Sequence, residues 1–133
     1  GIMFHVQESP ELSQPYFSGP EFQVLDNKGR SEPIIQQAGA LYDLYAPPAD
    51  HTNPVGEFNH IKLRVSGSQV EHWLNGYKVA AYDMDSSEFK DKVAASKFSQ
   101  WPTFAAKRSG HIALQDHGDK VTYRNIRIRR LGD

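Results

Sequence analysis

Cysteine is absent from the 133 residues, which excludes disulfides, cysteine-ligated zinc and thiol catalysis. Charge of one sign is also lacking. Fifteen Lys and Arg stand against sixteen Asp and Glu, a formal net charge of -1. That balance argues against a strongly basic nucleic-acid binder. No apolar run approaches the roughly 20 residues of a membrane helix. No secretory leader is visible, and no HExxH, EF-hand, phosphate-loop, dinucleotide-binding or nucleophile-elbow pattern occurs. Internal repeats and low-complexity tracts are missing too.

What is present is an all-β pattern, short alternating runs broken by turn residues. Aromatic content of 11% is too high for a disordered chain, and the length suits one domain, residues 1–133. Ile2, Phe4 and Val6 alternate with Met3, His5 and Gln7. This opening reads as a strand already under way, so further sequence is expected before it. A second strand is predicted over 21–26, ended by the Asp26-Asn27-Lys28-Gly29 turn, and a third over 39–45, stopped by Pro47-Pro48. Strands over 58–65, 69–74 and 77–82 form a meander. Asn75-Gly76 is a type I′ hairpin signal, because that turn needs positive φ at both central residues. Asp85 with Glu88 resembles a capping box, opening a helix that places Phe89 and Val93 on one side and ends before Trp101-Pro102. Two final strands are predicted over 111–116 and 121–130. About eight strands with one short helix point to a β-sandwich or jelly roll. A parallel α/β fold would need a helix between most strands.

Period two sorts the polar side chains by face. Glu21 and Gln23 share a face, roughly 7 Å apart by strand rise. A carboxylate that accepts, beside an amide that both donates and accepts, suits a hydroxyl-rich ligand. A solvated outer face is the plainer alternative. His111, Gln115 and His117 also share a face, and imidazoles there can move protons near neutrality; incidental surface histidines are the alternative. His5 lies with Met3 and Gln7. His72 is either a hydrogen-bonded core histidine or, with the face reversed, exposed while Trp73 is core. Trp73 or Trp101 could stack on a sugar ring. Asp116-His117-Gly118-Asp119 could offer oxygens to calcium, although no metal site or cofactor is expected. Arg124, Arg127, Arg129 and Arg130 read as a solvated edge that resists edge-to-edge pairing.

Seven strings in order carry a resemblance. They are Gly1-Ile2-Met3-Phe4, residues 18–26, residues 39–42, residues 56–59, His72-Trp73-Leu74-Asn75-Gly76, residues 110–118 and Arg124-Asn125-Ile126. Together they resemble the 3-keto-disaccharide hydrolase domain family over essentially the whole chain. The resemblance implies a concanavalin A-like jelly roll, an exported protein (periplasmic or secreted) and a carbohydrate substrate cleaved as a 3-keto-glycoside. Family domains carry further strands before the Gly-Ile-Met-Phe string, which this chain lacks. A keto group at C3 acidifies the C2 hydrogen, so a base can remove it and the C1 oxygen can leave by elimination; hydration completes net hydrolysis. Such a site needs a base, an acid and donors for the enolate oxygen. The proton-transfer candidates are Glu21, His111 and His117. The candidate substrate contacts are His5, Gln23, His72, Trp73, Asn75 and Gln115. A lectin-like module on the same fold is the alternative, since fold alone does not separate them.

Overall fold

Six strands form two three-stranded antiparallel sheets in the computed structural model, which describes residues 1–132. The first sheet has the order β2-β1-β6, with β1 Ile2–Val6, β2 Glu21–Phe22 and β6 His111–Leu114. The second is the meander β3 Ile61–Ser66, β4 Gln69–Leu74 and β5 Tyr77–Asp83. The architecture is a β-sandwich. Among the described residues no helix is long and apolar enough to cross a membrane.

The meander follows its sequence pattern closely. Asn75 and Gly76 take φ of 50° and 86°, the positive values that a type I′ turn requires. Val70, His72 and Leu74 alternate as buried positions on β4. Phe22 from the first sheet stacks on His72 from the second, ring centroids 4.6 Å apart. Phe22, Ala38, Leu74 and Val79 form one buried cluster. A larger one gathers Phe4, Leu41, Val70, Tyr82 and Met84 around Phe89, Phe98 and Phe104.

Four expectations change. The strand predicted over 21–26 is regular only through Phe22, although Gln23 still exchanges backbone hydrogen bonds with Gly39 and Ala40. The strand predicted over 39–45 reduces to isolated bridges from Leu41 to Phe22 and Tyr45. A tight turn at Asp43, whose φ is 61°, folds the chain back on Leu41. The helix α1 spans Ser87–Ala94, and its N-cap is Ser86, whose Oγ accepts from the Phe89 amide at 3.1 Å. Asp85 instead pairs with Arg108. Phe98 belongs to a separate 3-10 turn, Lys97–Gln100.

The largest departure is at the chain's end. Residues 121–130 form no strand. Ile126 and Ile128 keep the predicted alternation but are 66% and 76% exposed. Alternation becomes a strand only when a neighbouring backbone supplies hydrogen bonds, and β6 is hydrogen-bonded only to β1.

Candidate functional site

The register of the first sheet brings the polar residues together. Met3 pairs with Glu21 on one side and Ala113 on the other. The Tyr42 amide donates to the Glu21 carbonyl at 3.1 Å. Cross-strand neighbours share a face, so Tyr42, Glu21, Met3 and Ala113 form one row. Phe22 points the opposite way, into the sandwich. The next row on the Glu21 face holds Gly1 and Gln115, joined by hydrogen bonds in both directions at 2.9 Å. The Tyr123 hydroxyl closes this end, 3.2 Å from the Gly1 and Gln115 carbonyl oxygens.

Glu21 is the centre of this face. Its side chain is only 11% exposed. Burial raises its pKa above the ordinary value, against the opposing pull of Lys97 and His117. Desolvation is the dominant effect because the charged form loses water that these cations replace only in part. Gly1 leaves the room this carboxylate occupies: a Cβ there would overlap Glu21 Oε1 and lie 2.6 Å from its Cδ. A shielded acid of raised pKa, flanked by cations, can hold or remove a proton.

Beside Tyr42 lies a network that sequence reasoning missed. Lys97 Nζ donates to the Tyr42 hydroxyl at 3.2 Å and sits 4.4 Å from the centre of its ring. Asp43 Oδ2 is 3.4 Å from the same ammonium, while Asp43 Oδ1 accepts from the Gln36 amide at 2.6 Å. Burial works against the Lys97 cation, but Tyr42 and Asp43 outweigh it and hold its pKa above the usual lysine value.

The residues singled out from the sequence divide into two groups. Glu21 and His117 come together, and Gln115 lies across β1 on the same face. Gln115 is half-buried, and His117 is exposed and close enough to act on Glu21 by charge. The rest lie elsewhere or are otherwise engaged. His111 is at the opposite end of β6, its Nε2 3.8 Å from Glu8. Gln23 has the expected neighbour but spends its amide on the Gln36 carbonyl and its own Val24 amide.

His5 does not share a face with Met3 and Gln7. Its φ is 54°, and the register shifts so that Val6 opposes His111. One extra residue in β1 makes a bulge, and burial with the nearby Arg108 charge lowers the His5 pKa.

His72 is wholly buried, so it takes the core role and not the sugar contact. Trp73 faces outward on the other sheet. The Lys62 and Lys78 ammoniums lie 4.1 and 5.7 Å from its ring centre, and its indole N–H donates to Glu71. Asn75 uses its carboxamide to fix its own hairpin, donating to the His51 carbonyl and to Asn59 and accepting from the His60 amide. Trp101 packs on Phe17, ring centroids 4.4 Å apart. An apolar cleft of about 440 Å³ beside α1 is lined by Phe89, Trp101 and Phe104 and carries no carboxylate. Among the described residues no group of three or more His, Asp or Glu could hold a metal ion; Asp116 instead accepts from the Gly118 amide.

Fold and site together define an antiparallel β-sandwich that carries a shielded acid among cations on an outer sheet face. The chain belongs to the 3-keto-alpha-glucoside-1,2-lyase-like domain family, whose sequence profile matches residues 1–129. It is 35% identical over 135 residues to a 3-keto-disaccharide hydrolase of Bacteroides thetaiotaomicron, a match covering 90% of this chain and 47% of that protein. A crystal structure of a candidate glycosyl hydrolase from Parabacteroides distasonis superimposes with a TM-score of 0.81 at 31% identity, covering 89% of this chain and 57% of that one. The chain thus spans about half the length of the proteins it matches.

Proposed function

We propose that this chain contributes the acid–base face of an enzyme that cleaves 3-keto-glycosides or 3-keto-disaccharides. The observation that carries the reading is Glu21, a shielded carboxyl of raised pKa near Lys97 and His117, with Gln115 across β1 on the same sheet face. Two carboxylates in opposition, the arrangement of ordinary glycosidases, are not needed for elimination from a keto sugar.

Glu21 takes the proton from C2. The C–H electron pair forms the C2–C3 double bond and leaves negative charge on the C3 oxygen. Collapse of that enolate restores the C3 carbonyl, forms a C1–C2 double bond and breaks the C1–O bond. His117 protonates the departing oxygen, and water added across C1–C2 completes net hydrolysis. A base whose pKa burial has raised is better matched to a carbon acid than an ordinary glutamate. The family membership and the named hydrolase relative support a sugar substrate. Export to the periplasm or beyond the cell is part of the same proposal and rests on the family resemblance alone.

Matched 3-keto and unmodified glucosides test the reading. Release of aglycone from the keto compound alone supports it. Cleavage of both would make the protein an ordinary glycosidase. Saturable binding without turnover would overturn catalysis and leave a carbohydrate-binding module.

A further inference from the structure

We propose that Lys97 is the cation that receives the negative charge formed on the C3 oxygen when Glu21 removes the C2 proton. The inference rests on the keto-glycoside reading and assigns the group which that reading still lacks. An enolate needs a preorganised donor at the oxygen where charge develops. Of the amides that suggested themselves for this, Gln23 and Asn75 are engaged in local hydrogen bonds. Gln115 shares the Glu21 face but brings no charge.

The geometry points to Lys97 along an unbroken path. Glu21 pairs through its carbonyl with Tyr42, the pairing puts both side chains on one face, and the Lys97 ammonium is seated on Tyr42, touching its hydroxyl and covering its ring. The cation is 41% exposed, so a ligand atom can reach it. Its counter-ion is held back. Asp43 stands 3.4 Å away in a left-handed backbone conformation and gives its other oxygen to Gln36. A non-glycine residue at positive φ is uncommon, and such local strain concentrates at functional sites. Here it aims a carboxylate so that Lys97 stays charged without being fully neutralised. With its pKa held up by Tyr42 and Asp43, the ammonium acts by charge. It does not act as a free amine that would condense with the ketone.

Lys97→Met, Lys97→Arg and wild type, assayed on a 3-keto-glucoside, test this, with the Glu21 carboxyl followed by NMR titration. Lys97→Met is expected to lower kcat by about 100-fold, the usual loss for one oxyanion donor, with KM and Tm little changed. Lys97→Arg should restore much of the loss because it keeps the charge. In Lys97→Met the Glu21 titration should move upward, since a cation near it has gone. Unchanged kcat in Lys97→Met would overturn the proposal. So would borohydride reduction that fixes the keto sugar onto Lys97, because that marks a covalent imine. An inactive wild type would sink the keto-glycoside reading instead, and the titration separates the two failures. A Glu21 titration unmoved by Lys97→Met removes Lys97 from the site whatever the turnover.

Discussion

Tyr82 donates its hydroxyl proton to Nε2 of His72 across 2.9 Å at the centre of the sandwich. The direction follows from the other ring nitrogen. Nδ1 lies 3.0 Å from the Gly39 carbonyl oxygen, which can only accept, so Nδ1 carries the proton and neutral imidazole leaves Nε2 as the acceptor. The pair ties β4 to β5 and to the loop before Leu41.

That relationship makes the fold acid-sensitive. Burial lowers the His72 pKa to about 4 from the ordinary 6.5. Neutral His72 favours the folded state, so its contribution is full above pH 6.5. It declines as pH falls toward 4, because the unfolded chain takes up the proton first. The loss should be about 3 kcal/mol, from roughly 1.4 kcal/mol per pKa unit. Urea unfolding at pH 7.5 and pH 4.5 measures it. Tyr82→Phe should cost about 1–3 kcal/mol at neutral pH by leaving Nε2 without a donor.

Glu21 makes the opposite trade. Its raised pKa means the protonated form suits the fold, so its contribution is favourable below the unfolded pKa and is lost as pH rises through the folded one. Glu21→Gln should therefore raise the neutral-pH Tm while abolishing turnover and sparing sugar binding. Calorimetry and kinetics on one preparation check both. An unchanged kcat would dismiss Glu21 as the base.

Gly1→Ala should act through Glu21 without touching substrate. The added methyl would overlap the Glu21 carboxylate and force it toward solvent, where desolvation no longer lifts its pKa. The acid limb of the kcat profile should move to lower pH, with kcat down by about tenfold or more from misplacement of the base. A pH–rate series decides it. The profile should keep its wild-type position in a substitution that merely loosens the sheet.

Asn75→Ala should cost stability and leave sugar affinity alone. The asparagine adopts positive φ in the hairpin turn and fastens residues 51, 59 and 60 to it. Loss of the turn conformer and these hydrogen bonds should lower stability by about 2 kcal/mol. Denaturation midpoints and sugar titration on the same variant separate the two effects.

Local pattern made much of this molecule legible. The meander and its hairpin follow from alternation and Asn75-Gly76 alone, since each strand pairs with its chain neighbour. The opposite facing of Glu21 and the buried Phe22 also follows from period two. What escaped depends on distant pairing. The bulge at His5 reverses faces through one extra residue that no composition rule marks. Lys97 meets Tyr42 across 55 residues of sequence, and the approach of Tyr123 to Gly1 spans nearly the whole chain. The Gly1 notch is visible only once Glu21 fills it. Spacing alone leaves His72 balanced between core and surface, and it is the stacking of Phe22 and the edge of Tyr82 that enclose it.

The packing of the tryptophans gives the protein a built-in optical division of labour. Trp73, flanked by Lys62 and Lys78 on the outer meander face, and Trp101, laid on Phe17 beside the helical turns, are the chain's two indoles. Trp73 lies on the other sheet from Glu21, so its emission follows the melting of the meander. Trp101 caps the 3-10 turn that carries Lys97, so its emission reports on the neighbourhood of the acid face. The two indoles thus read separate events, unfolding of the outer sheet and occupation of the site.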